Sequence, residues 1–136
     1  MDYLSGKQAN INLTEKEEHV KKSKKDDSVF SSFCKTILSR LNPDEQARLC
    51  EKYLTPEIVT VMKDKELIEC INAFFKNNLN ISETSRNAFL HRNTLLYRIE
   101  KIYKITGLNI RNFEDAMSFK LLTIVYEKTS ERVGRK

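Results

Sequence analysis

One face of a predicted helix between residues 92 and 106 collects amide, hydroxyl, phenol and ammonium groups. These groups belong to Asn93, Thr94, Tyr97, Lys101 and Lys104. The opposite face carries an apolar stripe at helical spacing, formed by Leu95, Ile99, Ile102 and Thr106 and flanked by Tyr103 and Ile105. Amides, hydroxyls and ammonium groups are the donors and acceptors that contact base edges and phosphates in a DNA major groove. The pattern therefore predicts a helix with one buried face and one face suited to DNA.

A shorter helix is predicted just before it, over the segment SETSRNA at residues 82–88. Ser82 is the expected N-cap, because its hydroxyl can accept a hydrogen bond from the first helical turn. The helical pattern breaks at residues 89–91 and resumes at about Arg92. Gly107 is well placed to end the second helix, since a residue that tolerates positive φ does so at low cost. A short helix, a tight turn and a longer helix with a basic outer face predict a helix-turn-helix.

The basic charge of the chain is concentrated in the same segment. Residues 82–111 hold six Lys and Arg against two acids, a net charge of +4, whereas the whole chain carries +5. The six are Arg86, Arg92, Arg98, Lys101, Lys104 and Arg111. Charge that served only solubility would be scattered, so this distribution favours a phosphate-bearing partner. Periodicity and charge alone leave one alternative open, a solvated helical hairpin without a nucleic-acid partner.

The string HRNTLLYRIEKIYKITGL, with NISET upstream, resembles the C-terminal helix-turn-helix of the PucR/CdaR group of bacterial transcription regulators. The similarity extends upstream through ELIECINAFFKNNLN and downstream through NIRNFEDAMSFKLLTIVYE, over roughly residues 55–127. The resemblance implies a regulator that binds double-stranded DNA. The chain departs from the group at Leu96, where members usually carry a basic residue. It also departs at Ser85 and Ala88, where an Ala and a larger apolar residue are usual, and this predicts a local repacking of the hairpin.

We expect two kinds of DNA contact from this segment. Base-edge contacts are predicted for Arg92, Asn93, Thr94 and Tyr97. Contacts to the DNA backbone are predicted for Ser82, Thr84, Arg86, His91, Arg98, Lys101 and Lys104. Two of these residues have an alternative: His91 could cap the second helix, and Arg98, at the edge of the buried stripe, could pair with an acid inside the domain.

Other chemistry has little support in the sequence. The three cysteines form no CxxC pair and fall beside apolar stripes, so we expect small buried thiols. The two histidines lack neighbours at metal-ligand spacing, and no Gly-rich phosphate loop or nucleophile elbow occurs. We therefore expect no catalytic site, no metal and no cofactor. No secretory signal and no run long enough to span a membrane is evident, so a cytoplasmic location is expected.

The elements that position the segment are predicted to be all-α, with about six or seven helices and a disordered N-terminal tail. Residues 1–27 contain six acids and six bases and few apolar residues. Residues 28–54 are assigned to a helical connector or dimerisation segment, 55–128 to the PucR-type DNA-binding domain, and 129–136 to a polar tail. Helix starts are predicted at Asn42-Pro43, Thr55-Pro56 and Asp64.

Surplus apolar surface predicts a homodimer. The helix from Phe30 to Leu41 is apolar along its length. The next helix is expected to turn inward through Ala47, Cys50, Tyr53 and Leu54. The last helix has a stripe of Phe113, Ala116, Met117, Leu121, Ile124 and Val125, widened by Phe119, Leu122 and Tyr126. The competing prediction is a monomer in which the first and last helices pack on one another.

Taken together, the sequence predicts a sequence-specific regulator of double-stranded DNA that lacks its own sensor domain. A signal would then reach it through a protein partner, concentration or modification. The alternative is a helical protein-interaction module that has kept the fold and lost DNA binding, and the apolar Leu96 is the residue that motivates it.

Overall fold

The computed structural model describes residues 28–134, and side chains as far as residue 130. Within these residues the chain forms seven α-helices and no strand, which confirms the all-α prediction. The helices are α1 (Val29–Ser39), α2 (Pro43–Tyr53), α3 (Pro56–Lys63), α4 (Lys65–Lys76), α5 (Ile81–Asn87), α6 (Arg92–Thr106) and α7 (Phe113–Gly134). The tail predicted over residues 1–27 lies outside the described residues.

Short-range capping defines the starts of the helices upstream of the hairpin. Asn42 accepts a hydrogen bond from the Glu45 N–H at 2.8 Å, and the Glu45 carboxylate accepts one from the Asn42 N–H at 3.0 Å. Thr55 and Asp64 cap α3 and α4 through their side-chain oxygens. Each cap satisfies a backbone N–H that the helix itself cannot pair, so the three predicted helix starts are confirmed.

The main core lies between α3, α4, α5 and α6 and is closed by α7. Its fully buried side chains come from all parts of this unit: Val61, Ile71, Phe74, Leu95, Ile102, Ile110 and Phe119. The apolar stripe predicted for α6 is buried as expected at Leu95, Ile99 and Ile102, while Thr106 is half-buried. Packing of this stripe fixes α6 to the unit and leaves its polar face outward.

A second, smaller cluster joins α1 and α2 to the C-terminal half of α7. It consists of Cys34, Leu38, Ile124 and Val125. Gln46 is the buried residue of α2, and its Nε2 donates to the carbonyl oxygens of Leu38 at 2.9 Å and Leu41 at 3.2 Å. The inner side predicted for α2 is therefore partly wrong: Ala47 and Tyr53 are exposed, because α2 turns its Gln46 edge toward the end of α1.

Helix α7 packs on both clusters, and this changes which of its side chains are buried. Phe119 is fully buried in the main core, whereas Phe113, Met117 and Leu121 of the predicted stripe are exposed. Ile124 and Val125 are buried as predicted, but in the smaller cluster. The helix also runs to Gly134, beyond the point where a polar tail was expected. The prediction of one apolar stripe assumes one packing partner, whereas α7 packs different faces against the two clusters.

The buried cysteines are protonated thiols in apolar surroundings. Burial raises the pKa of the Cys34 and Cys70 thiols, and the Arg98 charge opposes that increase only in part at Cys70. Cys50 is half-buried. None of the described helices is long and apolar enough to cross a membrane.

Candidate nucleic-acid interface

The first helix of the hairpin begins at Ile81, and its cap is Asn80, two residues before the predicted cap Ser82. The Asn80 Oδ1 accepts from the Glu83 N–H at 2.8 Å. Ile81, the first residue of α5, is buried at the edge of the main core. Burial of Ile81 sets the start of the helix and leaves Ser82 exposed on its first turn.

Ser85 holds the turn between α5 and α6. Its backbone carbonyl accepts from the Leu90 N–H at 2.9 Å, and its hydroxyl donates to the Leu90 carbonyl. Between them Phe89 adopts a positive φ of 55° and leaves its ring 94% exposed. The departure at Ser85 thus supplies a hydrogen bond that an alanine could not make.

Both ends of α6 lie where the sequence placed them. His91 is the N-cap, and its Nδ1 accepts from the Asn93 N–H at 3.0 Å. Gly107 ends the helix with a φ of 83°, and its N–H donates to the Tyr103 carbonyl at 2.7 Å. The capping alternative for His91 is therefore the one that the structure contains. A phosphate contact through the outer edge of the ring stays a prediction.

The polar face of α6 is free of the core. Arg92, Asn93 and Tyr97 are exposed, as are Lys101 and Lys104. Among the four predicted base contacts, Thr94 is the one that is half-buried. The structure thus brings three of the four onto an open surface.

The starts of the two hairpin helices lie side by side. Arg92 Nη1 donates to Ser82 Oγ at 3.5 Å, which joins the first turn of α6 to the first turn of α5. Arg86 is exposed near the end of α5. The predicted backbone contacts Ser82 and Arg86 are therefore accessible.

Two other predicted backbone contacts have partners inside the protein. Thr84 is fully buried, and its hydroxyl donates to the Asn80 carbonyl at 2.7 Å, so the side chain offers no exposed atom for the predicted phosphate contact. Arg98 is only 23% exposed and forms an ion pair with Glu66 of α4 at 3.7 Å. This is the intramolecular alternative noted for Arg98, and it ties α6 to α4.

Leu96 is half-buried and packs against the main core. It also lines a groove of about 630 Å³ between α6 and the loop that follows it. The groove is lined by Asn93, Leu96, Tyr97, Ile99, Glu100, Tyr103, Asn109 and Arg111. From the sequence, Arg111 contributes to the basic charge of the segment but has no predicted contact, although it lies only a few residues after the predicted DNA-binding helix.

The remaining clusters offer no metal chemistry. Over residues 28–130, where side chains are described, no three His, Cys, Asp or Glu side chains are grouped closely enough to hold a metal ion. The arrangement that stands out is a rigid helix with a polar and basic outer face, and such a surface suits phosphates and base edges.

Comparisons with known proteins point to one family. The model of the PucR C-terminal helix-turn-helix domain matches residues 67–125. The carbohydrate diacid regulator of Escherichia coli K12 is 33% identical over 96 residues, which cover 71% of this chain and 24% of the regulator. The purine catabolism regulatory protein of Bacillus subtilis 168 is 30% identical over 59 residues, covering 43% of this chain and 11% of that protein. The chain thus spans a quarter or less of the length of these two relatives. No solved structure matches the chain.

Proposed function

We propose that the chain, whose residues 67–125 match the model of the PucR C-terminal helix-turn-helix domain, is a sequence-specific regulator that binds double-stranded DNA. The single observation that carries this proposal is the division of α6 into two faces. Leu95, Ile99 and Ile102 anchor it in the core, while Asn93 and Tyr97 stand exposed on the other side. The names of the two regulators described above support the same function.

We place α6 in the major groove. A helix with its side chains is about 10–12 Å across, which matches the width of the major groove of about 12 Å, and we propose that the first two turns of α6 contact base edges. Arg92 and Asn93 are the best candidates for bidentate base contacts, with Tyr97 and the half-buried Thr94 beside them. Backbone contacts fall to Ser82, Arg86, His91, Lys101 and Lys104. Such a regulator acts on the chromosome, so we propose a cytoplasmic location.

Salt dependence of binding tests the function. Fluorescence anisotropy of labelled genomic fragments would be measured at several salt concentrations. With about four phosphates neutralised per subunit, the slope of log affinity against log salt is expected to be about −3 to −4. A chain that binds no fragment, or binds without salt dependence, would instead support the protein-interaction module.

We further propose that the protein binds DNA as a homodimer. One recognition helix contacts only a few base pairs, which gives little discrimination among genomic sites. Two copies related by a two-fold axis would contact a palindromic site with half-sites about one helical turn apart.

An apolar groove of about 550 Å³ between α1, α2 and α7 is the proposed contact between copies. Phe33 is 62% exposed and Ile37 is 47% exposed, and both belong to the lining of this groove. Phe33 and Ile37 line the groove and are also exposed at its edge, so the same surface on two copies can pair across a two-fold axis. A second copy is therefore the proposed occupant.

Light scattering at micromolar concentration tests the dimer. The expected mass is twice the 15.9 kDa of one chain. Phe33→Asp should give the mass of one chain with an unchanged helical circular dichroism spectrum. Phe89→Asp is the matched control, since Phe89 is also an exposed phenylalanine but lies outside the groove, and it should remain dimeric. A mass near that of one chain at all concentrations would contradict the proposal.

A further inference from the structure

The loop between α6 and α7 is held in one conformation. Ile110 is fully buried in the main core and anchors the middle of the loop. The Asn109 N–H donates to Asp115 Oδ2 at 2.9 Å, and the Arg111 N–H donates to Asn109 Oδ1 at 3.1 Å. The Asn112 N–H donates to the Asn109 carbonyl at 2.9 Å. The backbone of Arg111 is therefore fixed although its side chain is exposed.

Arg111 shares a groove with the polar face of α6. The groove of about 630 Å³ has Asn93 and Tyr97 on its α6 side and Asn109 and Arg111 on its loop side. Leu96 contributes an apolar patch to the same lining. The residues proposed to contact bases and the loop arginine thus border one concave surface.

Arg98 on α6 and Arg111 in the loop differ in their partners. Arg98 is paired with Glu66 at 3.7 Å. The Arg111 guanidinium forms no ion pair with a carboxylate of the described residues. An unpaired guanidinium on a fixed backbone can bind a phosphate in a bidentate manner with little loss of conformational freedom.

We propose that Arg111 binds a phosphate of the DNA strand that borders the major groove, and that this strand lies in the groove between α6 and the loop. The proposal rests on the proposed function, since it needs α6 in the major groove. A helix in that groove is flanked by sugar-phosphate strands, and a concave surface beside its polar face is where such a strand passes. Leu96 would contact a deoxyribose there, and Arg111 would hold the phosphate next to it.

Glu100 allows a second test, in which the change in DNA affinity should be opposite to that at Arg111. Its carboxylate is exposed and lines the same groove, where it would repel a phosphate. Removing this charge should strengthen DNA binding, whereas removing the charge of Arg111 should weaken it. If DNA did not approach Glu100, salt would screen its charge, and removing that charge would leave the DNA affinity unchanged.

The test measures the affinity of the full chain for a duplex selected from a random library and for unselected duplex, at several salt concentrations. Arg111→Ala should weaken binding to both duplexes by the same factor, about tenfold, because a phosphate contact carries no sequence information. The magnitude of the salt slope should fall by about 0.9 per subunit. Arg111→Lys should keep the slope, and Glu100→Gln should raise the affinity for both duplexes.

Arg48→Ala is the control, since Arg48 is an exposed arginine of α2 and does not line the groove. It should leave affinity and slope unchanged, and circular dichroism would confirm that every variant is folded. If the wild type bound DNA and Arg111→Ala had the same salt slope as the wild type, the inference about Arg111 would be overturned and the proposed function would stand. A loss confined to the selected duplex would also overturn it, since Arg111 would then contact a base. If the wild type bound neither duplex, both the inference about Arg111 and the proposed function would be overturned.

Discussion

Helices α6 and α1 are both amphipathic, yet the chain buries the apolar side of α6 more completely than that of α1. The stripe of α6 at Leu95, Ile99 and Ile102 is enclosed by the main core, and the exposed side chains of the helix are polar, charged or phenolic. The stripe of α1 is divided: Cys34 and Leu38 are buried against α7, while Phe33 and Ile37 are exposed. The two helices therefore present surfaces of opposite chemistry. We assign the polar one to DNA and the apolar one to a second copy of the chain.

The largest expected effect is on the free energy of unfolding, which should fall much more for a substitution in the α6 stripe than for one in the exposed part of the α1 stripe. Leu95→Ala removes a fully buried side chain and is expected to lower the free energy of unfolding by about 2–5 kcal/mol. Phe33→Ala removes a mostly exposed one and should cost less than about 1 kcal/mol at protein concentrations low enough to hold the chain as a monomer. Urea unfolding followed by circular dichroism measures both. Equal losses would contradict the division drawn between α6 and α1.

The polar face of α6 should itself divide into base and backbone contacts. Asn93→Ala is expected to cost about 1–3 kcal/mol on the preferred site and to relax discrimination at one base pair. Lys101→Ala should weaken binding to all sequences alike, because phosphates are the same in every site. Anisotropy against the preferred site and against random duplex measures both variants. If the two variants lost the same affinity on both duplexes, the division of roles would be wrong.

Leu96 lies on α6 between its polar face and its buried stripe, so its replacement should affect both stability and binding. Leu96→Arg is expected to strengthen DNA binding, about tenfold, through an added charge beside the groove. The same change should lower the thermal midpoint slightly, because the native leucine is half-buried against the main core. Leu96→Met, which keeps the apolar contact, is the control and should change neither quantity much. Weaker DNA binding by a folded Leu96→Arg variant would place Leu96 away from the DNA.

The smallest effect concerns the start of α6. His91→Ala removes the cap on the Asn93 N–H and should cost about 1 kcal/mol of stability. His91→Asn, which can accept the same hydrogen bond, should restore most of it. Thermal unfolding of the three proteins gives the comparison. If His91→Asn and His91→Ala were equally destabilised, the histidine would not act as a cap.

Local signals predicted the hairpin well, and longer-range packing explains what they missed. The bounds of α6 follow from His91 and Gly107, which act within a turn of the helix, and these were predicted from the sequence. The burial of Thr84 was missed because its hydroxyl is satisfied by the carbonyl of Asn80 four residues earlier, so a polar residue can lie inside. The cap at Asn80 was missed because the burial of Ile81 decides where α5 starts.

Contacts between distant helices were the least predictable from the sequence. Arg98 could be placed at the edge of the stripe, but its partner Glu66 lies on α4 and could not be named from spacing. Phe119 and Leu121 belong to different surfaces because α7 packs on two clusters that lie on different sides of it. Helix spacing gives the period of a face, whereas the number of partners and their directions come from the assembled fold.

The central claim is that α6 contacts DNA in the major groove, and methylation interference tests it most directly. A selected duplex would be partially methylated with dimethyl sulfate, which modifies guanine N7 in the major groove and adenine N3 in the minor groove. Bound and unbound DNA would then be compared position by position. We predict that guanine N7 methylation blocks binding within the site, in two clusters about one helical turn apart. Interference restricted to adenine N3, or its complete absence on a duplex that the protein binds, would contradict the account.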